Sequence, residues 1–219
     1  ATAATLSFTS TLAQNGNQYR AVFTNPAGTA TSNAATLTVQ QAAITAVSVN
    51  WGTAGTAALQ TAADGVRLLP AGRNTDLPWL GINKLNITLN QAETLTSADV
   101  SVHGLTVADY GPVTVSGSGT NYTLTLAQAI NAADRVTVTI GNATIATFTR
   151  RLDVLPGDVN DDGVVNITDA TIIRNEYTGF APVTIPVIFL DVTGDGIVDV
   201  NDVNAARARI GTHLPALLA

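Results

Sequence analysis

The sequence predicts a mainly β chain that ends in a small helical module. Three observations carry this. Much of the chain alternates apolar and polar residues between Gly, Asn and Pro turn groups, the period of half-buried strands. Hydrophobic residues make up 46% and charged residues 12%, which argues against disorder. Finally, two twelve-residue acidic loops, Asp158 to Asp169 and Asp191 to Asp202, repeat one spacing of oxygen side chains, and each leads into a helical stretch that a glycine stops.

Taken in order, residues 1–40 read as strands around Leu6 and Phe8, then Tyr19, Ala21 and Phe23, then Leu37 and Val39. The turn groups Asn15-Gly16-Asn17 and Asn25-Pro26-Ala27-Gly28 separate them. The run NGNQYRAVFTNPAGTATSNAATLTV resembles the last two strands of a bacterial immunoglobulin-like domain, with Tyr19 as its corner tyrosine. Such a sandwich needs roughly 100 residues, so 1–40 is expected to be a partial domain with an uncovered apolar face and open edges. Ala1 is read as the first residue of a processed or excised chain.

A second β domain, 41–155, follows with strands at Ile44–Val49, Lys84–Asn90, Val113–Val115, Tyr122–Leu126, Val136–Ile140 and Ile145–Phe148. The pattern of INKLNITLNQAETLTSADVSVHG and NYTLTLAQAINAADRVTVTI is similar to immunoglobulin-like domains of bacterial surface proteins. An insertion, 52–80, interrupts it; Thr56–Ala63 is expected to form two helical turns, and Asp64-Gly65, Pro70-Ala71-Gly72 and Leu77-Pro78-Trp79 break the rest. Trp51 and Trp79 read either as an aromatic ligand platform or, with greater weight, as packing that fastens the insertion. Pro156-Gly157 opens the third part, 156–219.

In the first acidic loop, oxygen side chains stand at positions 1, 3, 5, 9 and 12 as Asp158, Asn160, Asp162, Asn166 and Asp169, with Gly163 at position 6. The second loop repeats the register with Asp191, Thr193, Asp195, Asp199, Asp202 and Gly196. A hard cation takes six to eight oxygens, and glycine at position 6 permits the sharp turn around it. Val164 and Ile197, at position 7, then offer main-chain carbonyls. Two Ca²⁺ sites are therefore expected. Val165 and Val198, at position 8, are suited to pack on each other. Asp at position 12 replaces the usual Glu.

The segments GDVNDDGVVNITDATIIRNEYTG and FLDVTGDGIVDVNDVNAARARIG resemble the dockerin module, a duplicated loop-helix unit. The resemblance implies two EF-hand-type Ca²⁺ loops and a cohesin partner, and Asp at position 12 is normal in that family. It also implies a partner face made by Ile167 and Thr168 with Arg174 and Asn175, and by Val200 and Asn201 with Arg207 and Ala208. Helices are expected at Thr168–Tyr177 and from about Asp202 to Ile210, with an extended spacer over Val183–Leu190 and an apolar tail, Leu214–Leu218, that docks on a neighbour. The expected fold is thus mainly β, immunoglobulin-like sandwich(es) followed by a small α-helical dockerin-like module.

Net charge of −6 is unevenly held: residues 1–150 carry six acids and six bases, the remainder ten acids and four bases. Without a basic stripe, nucleic-acid binding is not expected. No apolar run is long enough to span a membrane. Cysteine is absent, which rules out disulfides and thiolate chemistry and leaves the compartment open. The loops would fill in extracellular Ca²⁺, so a secreted or bacterial cell-surface location is expected. His103 and His213 lack a partner that the sequence can justify, and no catalytic motif occurs, so the chain is not expected to be an enzyme. Asn86, Asn121 and Asn142 begin Asn-x-Thr sequons and are candidate glycosylation sites.

Two functions follow. Unlike ends, a partial sandwich and a docking module, suggest subunits that assemble head to tail into a surface fibre or layer through strand complementation. The alternative is the C-terminal anchoring region of a larger secreted protein, held to a cohesin. In both, Ca²⁺ acts as a folding ligand, and chelation is expected to melt the segment after residue 156 while sparing the β domain.

Overall fold

A computed structural model describes residues 5–61 and 65–217. Ala1, the end of the expected Thr56–Ala63 helix, Asp64 and Leu218 lie outside the described residues. The chain forms two compact units, Ala1–Ala42 and Ala43–Ala219.

In the first unit, β1 (Gln18–Tyr19) pairs with β4 (Ala35–Thr36), and β2 (Val22–Asn25) pairs with β3 (Gly28–Thr31). The expected turn at Asn25–Gly28 closes the β2–β3 hairpin, and the Asn25 side chain accepts the Ala27 N–H at 2.9 Å. Leu6 and Phe8 are not in a strand; the Phe8 ring instead lies 5.2 Å from that of Tyr19. Every residue of β2 and β3 is exposed.

The second unit contains an antiparallel five-stranded sheet in the order β6-β5-β7-β10-β9 and a three-stranded one in the order β12-β11-β8. These strands are β5 (Ile44–Trp51), β6 (Gly55–Leu59), β7 (Ile82–Leu89), β8 (Val100–Gly104), β9 (Thr114–Ser118), β10 (Asn121–Ile130), β11 (Asp134–Ile140) and β12 (Phe148–Val154). Alternation does what it should: Val47, Val49 and Trp51 of β5, Leu85, Ile87 and Leu89 of β7, and Val136, Val138 and Ile140 of β11 are all buried. The predominance of strand agrees with the expected mainly β class.

Thr56–Ala63 was expected to be helical, but Gly55–Leu59 is the edge strand β6, with Gly55, Ala57 and Leu59 turned inward. The rest of the expected insertion runs beside β12. The Leu68 N–H donates to the Arg151 carbonyl at 2.8 Å, the Arg151 N–H to Val66 at 2.8 Å, the Leu77 N–H to Asp153 at 2.8 Å and the Leu155 N–H to Leu77 at 2.9 Å. Leu68, Leu77 and Trp79 are fully buried there.

The last part contains α1 (Ile167–Thr178), α2 (Val187–Leu190) and α3 (Val200–Arg207). Gly179 ends α1 in the left-handed conformation, as expected. Pro186 starts the four-residue α2 inside the spacer that was expected to be extended, because Phe189 and Leu190 turn into the core. Leu190, with Val159, Ala170, Ile173, Val192, Val203 and Ala206, forms the core beneath the two acidic loops. No helix of the described residues is long and apolar enough to cross a membrane.

Candidate functional site

Both acidic loops fold alike. Position 6 takes a positive φ in each, 88° at Gly163 and 92° at Gly196, and so does position 4, 67° at Asp161 and 71° at Gly194. Each loop then closes on its first and last carboxylates. Asp158 accepts N–H bonds from Asp161, Asp162 and Gly163, and Asp169 accepts them from Val159, Asn160 and Asn166. In the second loop Asp191 accepts from Gly194 and Gly196, and Asp202 from Thr193 and Asp199.

The loops also start the helices. Asn166 caps α1 by accepting the Thr168 N–H at 2.7 Å, and Asp199 caps α3 by accepting that of Asn201 at 2.6 Å. Asp169 and Asp202 reach back from the third helical residue to complete a capping box. Position 9 is therefore both a loop oxygen and a helix cap. The remaining side chains point along the loop: Asn160 and Asp162 bond each other at 2.8 Å, Asp162 accepts the Val164 N–H, and Asp195 accepts that of Ile197.

The donor set fits a hard cation. Asp158, Asp169 and Asp202 are fully buried and Asp191 nearly so, which crowds anions together out of water. Burial raises the Asp169 carboxyl, and neighbouring Asp158 adds to the rise against its three N–H bonds. Burial likewise raises Asp191, with Asp202 and Asp195 contributing. A cation between such groups would relieve both costs. Among the described residues no three carboxylate or imidazole groups form a ready metal cluster. The set here is mixed, with amide and hydroxyl oxygens from Asn160, Asn166 and Thr193 and carbonyls from Val164 and Ile197, the chemistry that suits Ca²⁺.

Val165, one of the two position-8 residues suited to pack on each other, is fully buried. Its main chain pairs with the chain after α3: its N–H donates to Thr212 at 3.0 Å and its carbonyl accepts from Gly211 at 2.8 Å. Within the tail expected to dock on a neighbour, the Pro215 carbonyl accepts the Arg135 Nε of its own chain at 2.7 Å, while Leu217 is exposed.

Residues 156–210 match the family model of the dockerin type I domain. No curated protein and no solved structure matches the chain. The match bears out the expectation of a dockerin module here and supports Ca²⁺ as the ion of its loops.

On the dockerin segment, Ile167 and Val200 are prominently exposed, and Thr168, Arg174, Asn201, Arg207 and Ala208 are also exposed, while Asn175 is half-buried. These residues lie on the outer surfaces of α1 and α3. The sequon residues are placed differently from one another. Asn86 lies within β7, its amide bonded to Asn50 at 2.7 Å and its carbonyl to Thr123; Asn121 begins β10, and Asn142 accepts the N–H groups of Thr144 and Ile145 in a turn. His103 is not as isolated as expected: its Nδ1 bonds the Ala108 carbonyl at 2.9 Å and lies 3.8 Å from exposed Asp109.

Sequence reasoning missed the groups outside the dockerin segment that touch its loops. Trp51 and Trp79 stack with ring centroids 4.0 Å apart, both buried, which excludes an exposed ligand platform. The Trp51 Nε1 donates to the Asp191 carbonyl at 2.9 Å, and the Trp79 Nε1 to Ile188 at 2.8 Å. Arg73 is buried between Asp76, Asp161 and the carbonyls of Asp158 and Val159. Burial, with the charge of Asp158 next, pushes the Asp76 carboxyl up to about 8 despite Arg73.

Proposed function

We propose that residues 156–210 are a calcium-dependent docking module of a secreted or cell-surface protein, which takes two Ca²⁺ ions and binds a cohesin-type domain. The dockerin type I match is the observation that carries this reading. Bound Ca²⁺ would neutralise the crowded carboxylates and draw the mixed oxygens of each loop into one shell. Asp158, Asn160, Asp162, the Val164 carbonyl, Asn166 and Asp169 would hold the first ion. Asp191, Thr193, Asp195, the Ile197 carbonyl, Asp199 and Asp202 would hold the second.

The chain's own part is to fix two helix starts. Because Asn166 and Asp199 cap α1 and α3 from within the loops, the geometry of each loop sets the direction of its helix. Ile167 and Thr168 with Arg174 and Asn175, about two turns further on, form one partner face. Val200 and Asn201 with Arg207 form the other. We read the two-sheet region as an immunoglobulin-like domain that carries the module, and assign it no catalytic step. Head-to-tail fibre assembly draws no support from the matched family, which favours docking to another protein.

The test is capture of the full chain by immobilised cohesin domains in Ca²⁺ and in a chelator. Capture should require Ca²⁺, and replacing Ile167, Thr168 and Arg174 together should weaken it at least tenfold, about 1.4 kcal/mol. Capture that ignores chelation overturns the reading. Unchanged capture after the triple replacement overturns the first face and assigns docking to Val200, Asn201 and Arg207.

A further inference from the structure

We infer that both ion loops are set from outside the dockerin segment, with Arg73 the positioning residue of the first loop and Trp51 that of the second. This rests on reading the loops as calcium cages. The observation is a correspondence between the two loops that the sequence does not display. At position 1, the Asp158 carbonyl accepts Arg73 Nη2 at 2.7 Å, and the Asp191 carbonyl accepts Trp51 Nε1 at 2.9 Å. At position 2, the Val159 carbonyl accepts Arg73 Nη1 at 3.0 Å, and the Val192 carbonyl accepts the Leu80 N–H at 2.8 Å. At position 4, the Asp161 carboxylate accepts the N–H of Asn74 at 2.7 Å and of Thr75 at 3.1 Å. Its counterpart is the Gly194 carbonyl, which accepts the N–H of Thr53 at 2.8 Å and of Ala54 at 2.7 Å.

Each loop is thus gripped at the same three places by residues 51–80, although the donors differ in kind. Holding the carbonyls of positions 1 and 2 fixes two successive peptide planes. That turns the position-1 carboxylate into the loop, where Asp158 accepts the N–H groups at positions 4, 5 and 6, and Asp191 those at positions 4 and 6. Partners that orient metal ligands in this way are worth roughly 10–100-fold in affinity. Arg73 performs the task for the first loop with one planar fork, whose Nε also donates to the Asp76 carbonyl at 2.9 Å and lies 3.3 Å from Asp161. A lysine cannot span those acceptors from one point.

The sign of the effect separates positioning from charge. A guanidinium that acted only as a nearby positive charge would repel the ion, so its loss would tighten binding. A positioning residue gives the opposite result, and Arg73→Lys, which keeps the charge, would also weaken binding.

The experiment is calorimetric titration of Ca²⁺ into the full chain, with Asp162→Ala and Asp195→Ala assigning each ion to its loop. Far-UV circular dichroism at saturating Ca²⁺ checks that each variant is folded. Arg73→Met and Arg73→Lys should each weaken the first-loop ion by roughly 10–100-fold and leave the second within about threefold. Trp51→Phe should do the reverse. Thr75→Val, which removes the hydroxyl bonds to Asp161 and Asp76 but leaves the Arg73 fork in place, is the milder variant should the arginine changes unfold the chain, and should weaken the first ion severalfold. Unchanged or tighter first-loop binding in these variants, or equal loss at both loops, overturns the proposal while the calcium reading stands. A wild-type chain that takes up no Ca²⁺ overturns both.

Discussion

Asp134 accepts five hydrogen bonds, from the N–H groups of Leu105, Thr106, Val107 and Arg135 and from the Tyr110 hydroxyl. Burial pushes its carboxyl up, but the donors outweigh burial and hold it below the ordinary value of 3.8. A carboxylate with a lowered folded-state pKa stabilises the fold above its unfolded value, and that contribution is lost as pH falls through the folded one. Asp134→Asn should therefore lower the melting temperature most at neutral pH, and the gap from wild type should narrow below about pH 3.8. A gap that is constant with pH would contradict this, and thermal melts across the acid range read it directly. Nothing in the sequence marks Asp134, because its donors are mostly main-chain groups from a turn about 30 residues away. The loop oxygens were legible for the opposite reason: their spacing along the chain is itself the site. Arg73 was not, since what distinguishes it is burial between residues 85 and 86 positions further on.

At the scale of elements, the β5–β6 turn and the second ion loop approach closely enough to exclude side chains. A Cβ at Gly194 would lie 2.4 Å from the Trp51 carbonyl oxygen, and one at Gly52 would lie 2.1 Å from that of Thr193. Gly194→Ala should therefore cost well over 1 kcal/mol, more than Gly119→Ala, which meets the same backbone strain at φ 67° but nothing within 4 Å. Comparable losses in chemical unfolding would show that conformation rather than contact is at stake. Strands β5, β7, β10 and β11 were legible because large residues mark their inward positions. β6 was not: its inward residues are Gly55, Ala57 and Leu59, two of them too small to reveal a period of two, and the neighbouring alanines suggested helix. The four residues of α2 are too few to show any period, and Pro186 reads equally well as a spacer.

At the scale of the molecule, the five- and three-stranded sheets and the dockerin segment fall in one compact unit, Ala43–Ala219. The expectation that chelation melts only the part after residue 156 does not suit this packing. Trp51 and Trp79 are buried against that part, and losing it would expose both. Removing Ca²⁺ should thus shift one transition in which tryptophan fluorescence and helical circular dichroism change together. An ion at a hundred times its dissociation constant contributes about 2.7 kcal/mol to such a unit. Loss of the helical signal with both tryptophans still buried would refute it. The overall plan of β region then acidic helical module was legible from charge and loop spacing, whereas the junction was not, since Trp51 and Asp191 stand 140 residues apart. The stacked indoles, the Gly194 carbonyl and the Arg73 fork all run in parallel with the peptide link at Leu155–Gly157. Tension applied to α1 or α3 by a tethered partner would consequently spread into strand β5 and the chain beside β12, so the covalent linker is shielded from mechanical load instead of bearing it alone.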